Sequence, residues 1–150
     1  MEALIKSLKS GIITHSTEET ESVGEALAKI INPDTTLTLN GDLGVGKTTF
    51  TKGFARGLRI SNTITSPTFN LFSIYDGSMQ LVHLDAYRLS PESSLDSLML
   101  DDFISSPYCL VIEWPENVPS LIPPEAIHIQ LSILESGAKP VHKIALIDRI

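Results

Sequence analysis

The sequence predicts a single α/β domain, residues 1–150, with a central mixed sheet. Residues 36–40 alternate β-branched and apolar side chains, which is the pattern of a strand. Directly downstream, residues 49–58 place their aromatic and leucine side chains at helical spacing. Two apolar-rich runs, 127–134 and 141–147, predict a closing antiparallel pair. Strands that are interleaved with helices in this way are typical of the α/β class.

Local signals predict the remaining elements. Ser16 with Glu19 three residues later forms a capping box, so we expect a helix that begins there and ends before Pro33. Asp76 and Gly77 stand between two apolar runs and predict a hairpin turn. The other predicted segments are a strand over 11–15, hairpin strands over 70–75 and 79–84, a short helix over 95–104, a buried strand over 109–112 and an irregular crossing over 115–124.

Charge restricts the classes of function. The chain has a net charge of −7, and Arg88 is the only Lys or Arg between residues 60 and 138. A nucleic-acid surface requires clustered cations, so we do not expect this chain to bind RNA or DNA alone. Kinases that close several arginines over a transferred phosphoryl group are disfavoured for the same reason.

Composition also predicts the compartment. No apolar run is long enough for a transmembrane helix, and the N-terminal residues lack the apolar block and cleavage site of a signal peptide. We therefore expect a cytoplasmic protein that does not bind membranes. Cys109 is the only cysteine and lies in an apolar run, which predicts a buried strand thiol and not a nucleophile.

Residues 41–48 read GDLGVGKT and match the phosphate-binding loop pattern G-x-x-x-x-G-K-[ST]. Its glycines let successive backbone N–H groups point inward around an anion. Lys47 adds a positive charge, and the hydroxyl of Thr48 can bind Mg²⁺ at the start of the following helix. Because a predicted strand precedes the loop and a predicted helix follows it, the pattern indicates a P-loop NTPase-like three-layer domain.

Two acidic residues follow predicted strands and are candidates for the same site. Asp85 ends the apolar run 81–84, and Glu113 ends the apolar run 109–112. Groups at the carboxyl ends of strands face the ligand crevice of an open α/β sheet, so both carboxylates can approach bound phosphates and Mg²⁺. The alternative is that each is an ordinary solvated acid at a strand end.

Four motifs in this order resemble the bacterial TsaE (formerly YjeE) family: GDLGVGKTTF, SPTF, HLDAYRL and IEW. The resemblance covers nearly the whole chain. It implies a protein that binds ATP with Mg²⁺, hydrolyses ATP slowly and assists the TsaB and TsaD proteins. These proteins form threonylcarbamoyladenosine at position 37 of tRNAs that read codons beginning with A. The resemblance therefore implies that the chain reaches tRNA only indirectly, through that complex.

The resemblance also assigns residues. It implies catalytic roles for Lys47, Asp85 and Glu113, and it implies Mg²⁺ ligation by Thr48 with the two carboxylates. Thr68, in the SPTF loop, would sense the γ-phosphate. Nucleotide contacts are implied for Thr17, Gly44, Val45, Gly46, Lys47, Thr48, Thr49, Thr68, Trp114 and Gly137, with the adenine between the segments around Thr17 and Gly137.

Three residues complete the HxDxYR signature, and each has a structural alternative. His83 alternates with apolar residues and could be a satisfied core histidine. Tyr87 could be a core aromatic residue, and Arg88 could pair with a carboxylate. The family tends to carry Leu-Gly where this chain has Leu98 and Met99, so we expect the local turn to differ.

The combined interpretation is a nucleotide-gated assembly factor. The chain supplies residues for Mg²⁺ and a candidate nucleophile-orienting group, Glu113, but little charge compensation, so hydrolysis by the isolated chain is expected to be slow. A signalling GTPase is disfavoured because the Asn-Lys-x-Asp motif is missing. A small-molecule kinase and a binding module without hydrolysis stay open as alternatives.

Overall fold

The structure is a computed structural model that describes residues 1–65, 67, 71–92, 99–135 and 139–148. Its helices are α1 (Glu2–Ser10), α2 (Thr17–Ala28) and α3 (Lys47–Gly57). Its strands are β1 (Ile12–Thr14), β2 (Thr35–Asn40), β3 (Phe72–Tyr75), β4 (Gln80–Asp85), β5 (Tyr108–Glu113), β6 (Ile127–Leu134) and β7 (Val141–Ile147). Short 3₁₀ turns lie at Leu100–Asp102, Pro115–Asn117 and Pro119–Leu121.

The described strands form one mixed sheet in the order β1-β7-β6-β2-β5-β4-β3. Strands β6, β2, β5 and β4 run parallel, whereas β7, β1 and β3 pair antiparallel at the two sides. The strand before the P-loop therefore lies between two parallel neighbours. This arrangement brings the carboxyl ends of β2, β4 and β5 to one edge, which is where ligands bind in open α/β sheets.

Alternating side chains along the strands build a core on each face of the sheet. Leu37, Leu39 and Val111 project toward the helices, where Phe50 and Phe54 of α3 are fully buried among them. The opposite face carries an apolar cluster of Val82, Leu84, Ala86, Leu100, Leu110, Ile112, Val118 and Leu121. In the part of the chain that the structure describes, 3₁₀ turns form this third layer.

Glycines set the close approach of α2 and α3. A Cβ atom on Gly24 would overlap the backbone of Phe50, and one on Gly53 would overlap the backbone of Glu21. The two helices can therefore approach each other only because these positions lack side chains. This contact fixes the direction in which α3 points its N-terminus at the ligand edge of the sheet.

The start of α2 differs in part from the predicted capping box. Ser16 caps the helix, since its hydroxyl accepts a hydrogen bond of 3.1 Å from the Glu19 N–H. The Glu19 carboxylate does not return to Ser16 and instead accepts a 2.6 Å hydrogen bond from the N–H of His15. The predicted reciprocal box is therefore wrong in this half, since the Glu19 carboxylate is hydrogen-bonded to the N–H of His15 instead.

Several other predictions can be compared with the structure. The hairpin around Asp76 and the bounds of β6 and β7 are confirmed. Helix α1 was not predicted, although it buries Leu8 against the core. Within the predicted helix over 95–104, the structure shows a 3₁₀ turn at Leu100–Asp102. Residues 93–98 lie outside the described residues. None of the helices in the described ranges is long and apolar enough to cross a membrane.

Met99 adopts the backbone conformation that a glycine would favour. Its φ angle is 57°, in the left-handed region, and it immediately precedes the 3₁₀ turn at Leu100. We expected methionine to change the local turn, but Met99 takes the positive φ angle that a glycine would favour. The burial of Leu100 in the second core, together with the hydrogen bond from the Asp102 N–H to the Met99 carbonyl, holds the turn despite its cost.

Candidate functional site

The P-loop connects the end of β2 to the start of α3, and its shape depends on glycines. Gly41, Gly44 and Gly46 have φ angles of 144°, 80° and 102°, a region that other residues occupy only at a cost. Gly46 stands directly before α3, which begins at Lys47. The loop therefore presents backbone N–H groups together with the positive end of a helix, which is the arrangement that binds phosphate.

A cavity of about 300 Å³ lies over the P-loop and joins most of the predicted site residues. It is lined by Leu43, Gly44, Gly46, Lys47, Thr48, Thr49, Asp85, Glu113 and Trp114. The structure thus brings together, in one concave site, residues from the P-loop and from the ends of β4 and β5. Of the predicted site residues in the loop, Val45 does not line this cavity, because its side chain is buried in the core.

Lys47 is held at the edge of this cavity by two contacts. Its Nζ atom donates a 2.7 Å hydrogen bond to the carbonyl of Gly41 and lies 4.0 Å from the centre of the Trp114 ring. Burial lowers the pKa of Lys47 from its ordinary value, and the charges of Glu113 and Asp85 oppose that effect. A bound polyphosphate would add further negative charge beside this partly desolvated ammonium group.

Asp85 and Glu113 stand directly opposite each other at the ends of two parallel strands. Asp85 is half-buried, and its Oδ1 atom accepts a 3.0 Å hydrogen bond from the Tyr87 N–H. Glu113 is 4% exposed, and its Oε2 atom lies 2.7 Å from Nε2 of His83. Both acids line the cavity over the P-loop, where Glu113 is buried and Asp85 keeps part of its surface in solvent.

The oxygen donors around the cavity suit Mg²⁺ better than a metal ion whose ligands all come from protein side chains. The described residues contain no group of three or more His, Cys, Asp or Glu side chains that could hold a metal ion. Mg²⁺ usually keeps several waters and binds one or two carboxylates together with substrate phosphates. Thr48, Asp85 and Glu113 around a phosphate-sized cavity provide the hydroxyl and the carboxylates for that arrangement.

Trp114 is positioned by backbone and ring contacts at the end of β5. Its φ angle is 57°, which is unusual for a bulky residue. The Tyr87 ring packs against it with a centroid separation of 5.1 Å. The side chain of Asn117 donates hydrogen bonds of 3.0 and 3.3 Å to the carbonyls of Ala86 and Tyr87, so the segments after β4 and β5 are tied together beside the cavity.

A second, smaller cavity continues from the first along the start of α3. It has a volume of about 210 Å³ and shares Gly46 and Thr49 with the first cavity. Its other lining residues are His15, Ser16, Thr17, Thr20, Pro140 and His142. Thr17 therefore lies beside the P-loop, in a cavity that adjoins the first. Gly137, its predicted partner around the adenine, lies outside the described residues.

His142 is a site residue that the sequence analysis missed. It lies on β7, and its Nδ1 atom donates a 2.8 Å hydrogen bond to the carbonyl of Val45. This contact links β7 to the backbone of the P-loop. No local sequence signal reveals it, because residues 45 and 142 meet only through the order of strands in the sheet.

The remaining predicted residues do not line the cavity over the P-loop or lie outside the described residues. Arg88 is exposed and does not line either cavity. His83 is fully buried and contacts Glu113, so the alternative of a core histidine is correct for its burial but incomplete for its role. Thr68 and most of the SPTF loop lie outside the described residues.

A larger cavity of about 640 Å³ lies beside the P-loop and shares Leu43 and Trp114 with the phosphate-sized cavity. Its lining includes Leu131 and Ile133 of β6, of which Leu131 is buried in the core, together with the acidic residues Asp42 and Glu116. This cavity belongs to the same edge of the sheet and widens the open surface around the P-loop.

Comparison with known proteins identifies the family. The sequence profile described as "Threonylcarbamoyl adenosine biosynthesis protein TsaE" matches residues 14–140. The chain belongs to the TsaE family. The resemblance and the predicted fold class, an α/β P-loop NTPase-like domain with a mixed sheet, are confirmed.

Individual TsaE relatives agree with the profile. A Bacillus subtilis (strain 168) protein named tRNA threonylcarbamoyladenosine biosynthesis protein TsaE is 41% identical over 117 residues, which cover 77% of this chain and 73% of the relative. A Treponema pallidum (strain Nichols) protein of the same name is 33% identical, with 86% and 96% covered. The crystal structure of Bacillus subtilis YdiB superposes with a TM-score of 0.70 at 34% identity, covering 93% of this chain and 86% of that one.

Proposed function

We propose that this TsaE-family chain is a Mg²⁺-dependent ATPase that assists TsaB and TsaD in forming threonylcarbamoyladenosine at position 37 of tRNAs. The observation that carries the proposal is one cavity in which a P-loop, Lys47, Thr48 and two opposed carboxylates meet. The family name links the chain to the tRNA modification. The nucleotide and the partners are the parts that need an experiment.

Each group has a role in phosphoryl transfer to water. The P-loop N–H groups and Lys47 would bind the phosphates, and Thr48 with Asp85 would hold Mg²⁺. A bound Mg²⁺ would supply positive charge to stabilise the phosphate oxygens during the transfer. Glu113 is the group that orients the attacking water and accepts its proton, because it is the more buried of the two acids and is anchored by His83.

The balance of charges supports slow hydrolysis by the chain alone. Among the described residues that line the cavity over the P-loop, Lys47 is the only cationic side chain, and Asp85 and Glu113 line the same cavity. Arg56, on α3, is occupied by ion pairs with Glu21 and Glu25 away from the cavity. A second cation at the transferred phosphoryl group commonly accelerates such reactions. In the proposed function, the complex with TsaB and TsaD supplies this second cation or a rearrangement that has the same effect.

Reconstituted tRNA modification tests the proposal. Threonylcarbamoyladenosine is measured on tRNA with TsaB, TsaD, ATP and an activated threonylcarbamoyl donor, in the presence of the wild-type chain or its Lys47→Ala variant. We expect multiple turnovers only with the wild-type chain. Lys52→Ala is the matched control, since Lys52 is an exposed lysine on the same helix. Equal product formation with and without the chain would contradict the assisting role.

A further inference from the structure

His83 and Glu113 are in contact across the neighbouring parallel strands β4 and β5. His83 is fully buried on β4 and stands opposite Val111 in the parallel register. Glu113 follows two residues later on β5, so the two side chains project from the same face as diagonal neighbours. The Nε2 and Oε2 atoms are 2.7 Å apart. Because an ionised carboxylate has no hydrogen to donate, His83 donates through Nε2–H.

The other ring nitrogen of His83 indicates that this contact is kept at a cost. Its Nδ1 atom is buried and has no hydrogen-bond partner among the residues that the structure describes. A buried polar atom without a partner is destabilising. The neighbouring positions Leu81, Val82 and Leu84 show that this strand otherwise fills its interior with apolar side chains. The Nε2–H donor therefore explains why a histidine, and not an apolar residue, occupies position 83.

The donor determines which way the Glu113 carboxylate faces. With Oε2 held by His83, the other oxygen, Oε1, is left for the cavity that Glu113 lines. Lys47 lines the same cavity, and its positive charge attracts Glu113. A carboxylate without the histidine would be free to turn toward the ammonium group and pair with it. Such a pair would take both groups out of position for a phosphate and its attacking water.

We propose that His83 is the positioning residue of the catalytic carboxylate: its Nε2–H group fixes Glu113 with one oxygen directed to the water that attacks the γ-phosphate. The inference rests on the proposed ATPase function. His83 does not touch the nucleotide, so its loss reduces the rate of hydrolysis and leaves nucleotide affinity nearly unchanged. The donor group matters more than the imidazole ring, so another side chain that reaches Glu113 with an N–H can replace it in part.

Three substitutions separate the donor from the shape of the side chain. His83→Gln places an amide N–H at about the distance of Nε2. His83→Asn is also an amide but ends near the position of Nδ1, too short to reach Glu113. His83→Leu removes the donor and keeps an apolar side chain on the strand. Leu81→Val is the control for destabilisation, because Leu81 is equally buried two residues earlier on the same face.

The measurements are kcat for Mg²⁺-ATP hydrolysis, ATP affinity from the fluorescence of Trp114, and thermal stability. We expect kcat to fall by about 10-fold to 100-fold in His83→Asn and His83→Leu, the usual effect of removing the partner of a reactive group. ATP affinity should change less than about twofold, which is under 0.5 kcal/mol. His83→Gln should recover much of the lost rate, and Leu81→Val should lose stability without losing kcat.

The outcomes distinguish this inference from the proposed function. Wild-type kcat in His83→Asn would overturn the positioning role while leaving the ATPase intact. Equal losses in His83→Gln and His83→Asn would overturn it as well, because the donor would then be irrelevant. If His83→Leu does not fold, the contrast between the two amides decides. A wild-type chain without Mg²⁺-dependent hydrolysis, alone and with TsaB and TsaD, would overturn the proposed function and this inference with it.

Discussion

The ammonium group of Lys47 lies 4.0 Å from the centre of the Trp114 ring while it donates a hydrogen bond to the Gly41 carbonyl. Both contacts stabilise a cation that burial would otherwise disfavour. Neither contact can persist unchanged if Lys47 turns toward a phosphate. The chain's only tryptophan therefore lies where a ligand bound to Lys47 would change its surroundings.

This relationship predicts a fluorescence signal. We expect ATP with Mg²⁺ to change the emission of Trp114, because the charge beside its ring moves. Lys47→Ala should weaken ATP binding by about 10-fold to 100-fold, the equivalent of a charged hydrogen bond. Titration of ATP into wild-type, Lys47→Ala and Lys52→Ala proteins measures both effects. Native ATP affinity in Lys47→Ala would refute the assignment of this loop as the phosphate site.

Asp85 predicts a specific dependence on Mg²⁺. Its carboxylate lines the cavity beside Thr48, so Asp85→Asn should raise the Mg²⁺ concentration for half-maximal hydrolysis by about tenfold or more. The effect on ATP binding without Mg²⁺ should be small. Asp76→Asn, in the exposed hairpin turn, is the control. An unchanged Mg²⁺ requirement in Asp85→Asn would remove this residue from the metal site.

The contact between α2 and α3 predicts an unusual effect of alanine. Alanine usually favours a helix over glycine, but a Cβ atom at position 53 would overlap the Glu21 backbone. We expect Gly53→Ala to lower the free energy of unfolding by about 1–3 kcal/mol. The neighbouring exposed substitution Lys52→Ala should stay within about 0.5 kcal/mol. Urea denaturation of the two variants checks this, and a stabilised Gly53→Ala protein would contradict the packing.

Cys109 predicts the behaviour of the protein in alkali. Burial raises the pKa of its thiol from 9.0 to about 12. Above pH 9 the unfolded chain loses this proton while the folded chain keeps it, so the thiol's contribution to stability declines as pH rises toward 12. Below pH 9 the contribution is constant.

A Cys109→Ala variant isolates this effect. Alanine has no proton to lose, so the difference in unfolding free energy between wild type and variant should shrink from pH 9 toward pH 11. The folded wild-type protein should also react slowly with thiol reagents at pH 8 and react rapidly once unfolded. A difference that does not change with pH would contradict the buried, protonated thiol.

Local patterns were sufficient to predict much of the fold. The P-loop with its flanking strand and helix, and the bounds of β6 and β7, follow from residue spacing within short windows. The sequence also contains a signal for helix α1. Leu4 and Leu8 are spaced to share one helical face, and Gly11, whose φ angle is 92°, follows the last residue of the helix. These features depend on neighbours in sequence, which a sequence displays directly.

The residues that the prediction missed or left incomplete depend on contacts between distant segments. His142 reaches the Val45 carbonyl only because β7 and β6 fold back beside β2. The contact of His83 with Glu113 requires β4 and β5 to be parallel and in this register. His83 and His142 each lie in a strand that contains many apolar side chains, and this pattern predicts burial but no specific contact. Strand order and register, which come from packing of the whole sheet, supply the remaining information.

The most direct test of the central claim is Mg²⁺-dependent ATP hydrolysis, measured for the wild-type chain and Glu113→Gln, each alone and with TsaB and TsaD. We predict slow hydrolysis by the wild-type chain, a faster rate with the two partners, and a loss of about 100-fold or more in Glu113→Gln with ATP binding retained. Unchanged turnover in Glu113→Gln, or binding without hydrolysis under both conditions, would contradict a catalytic P-loop site.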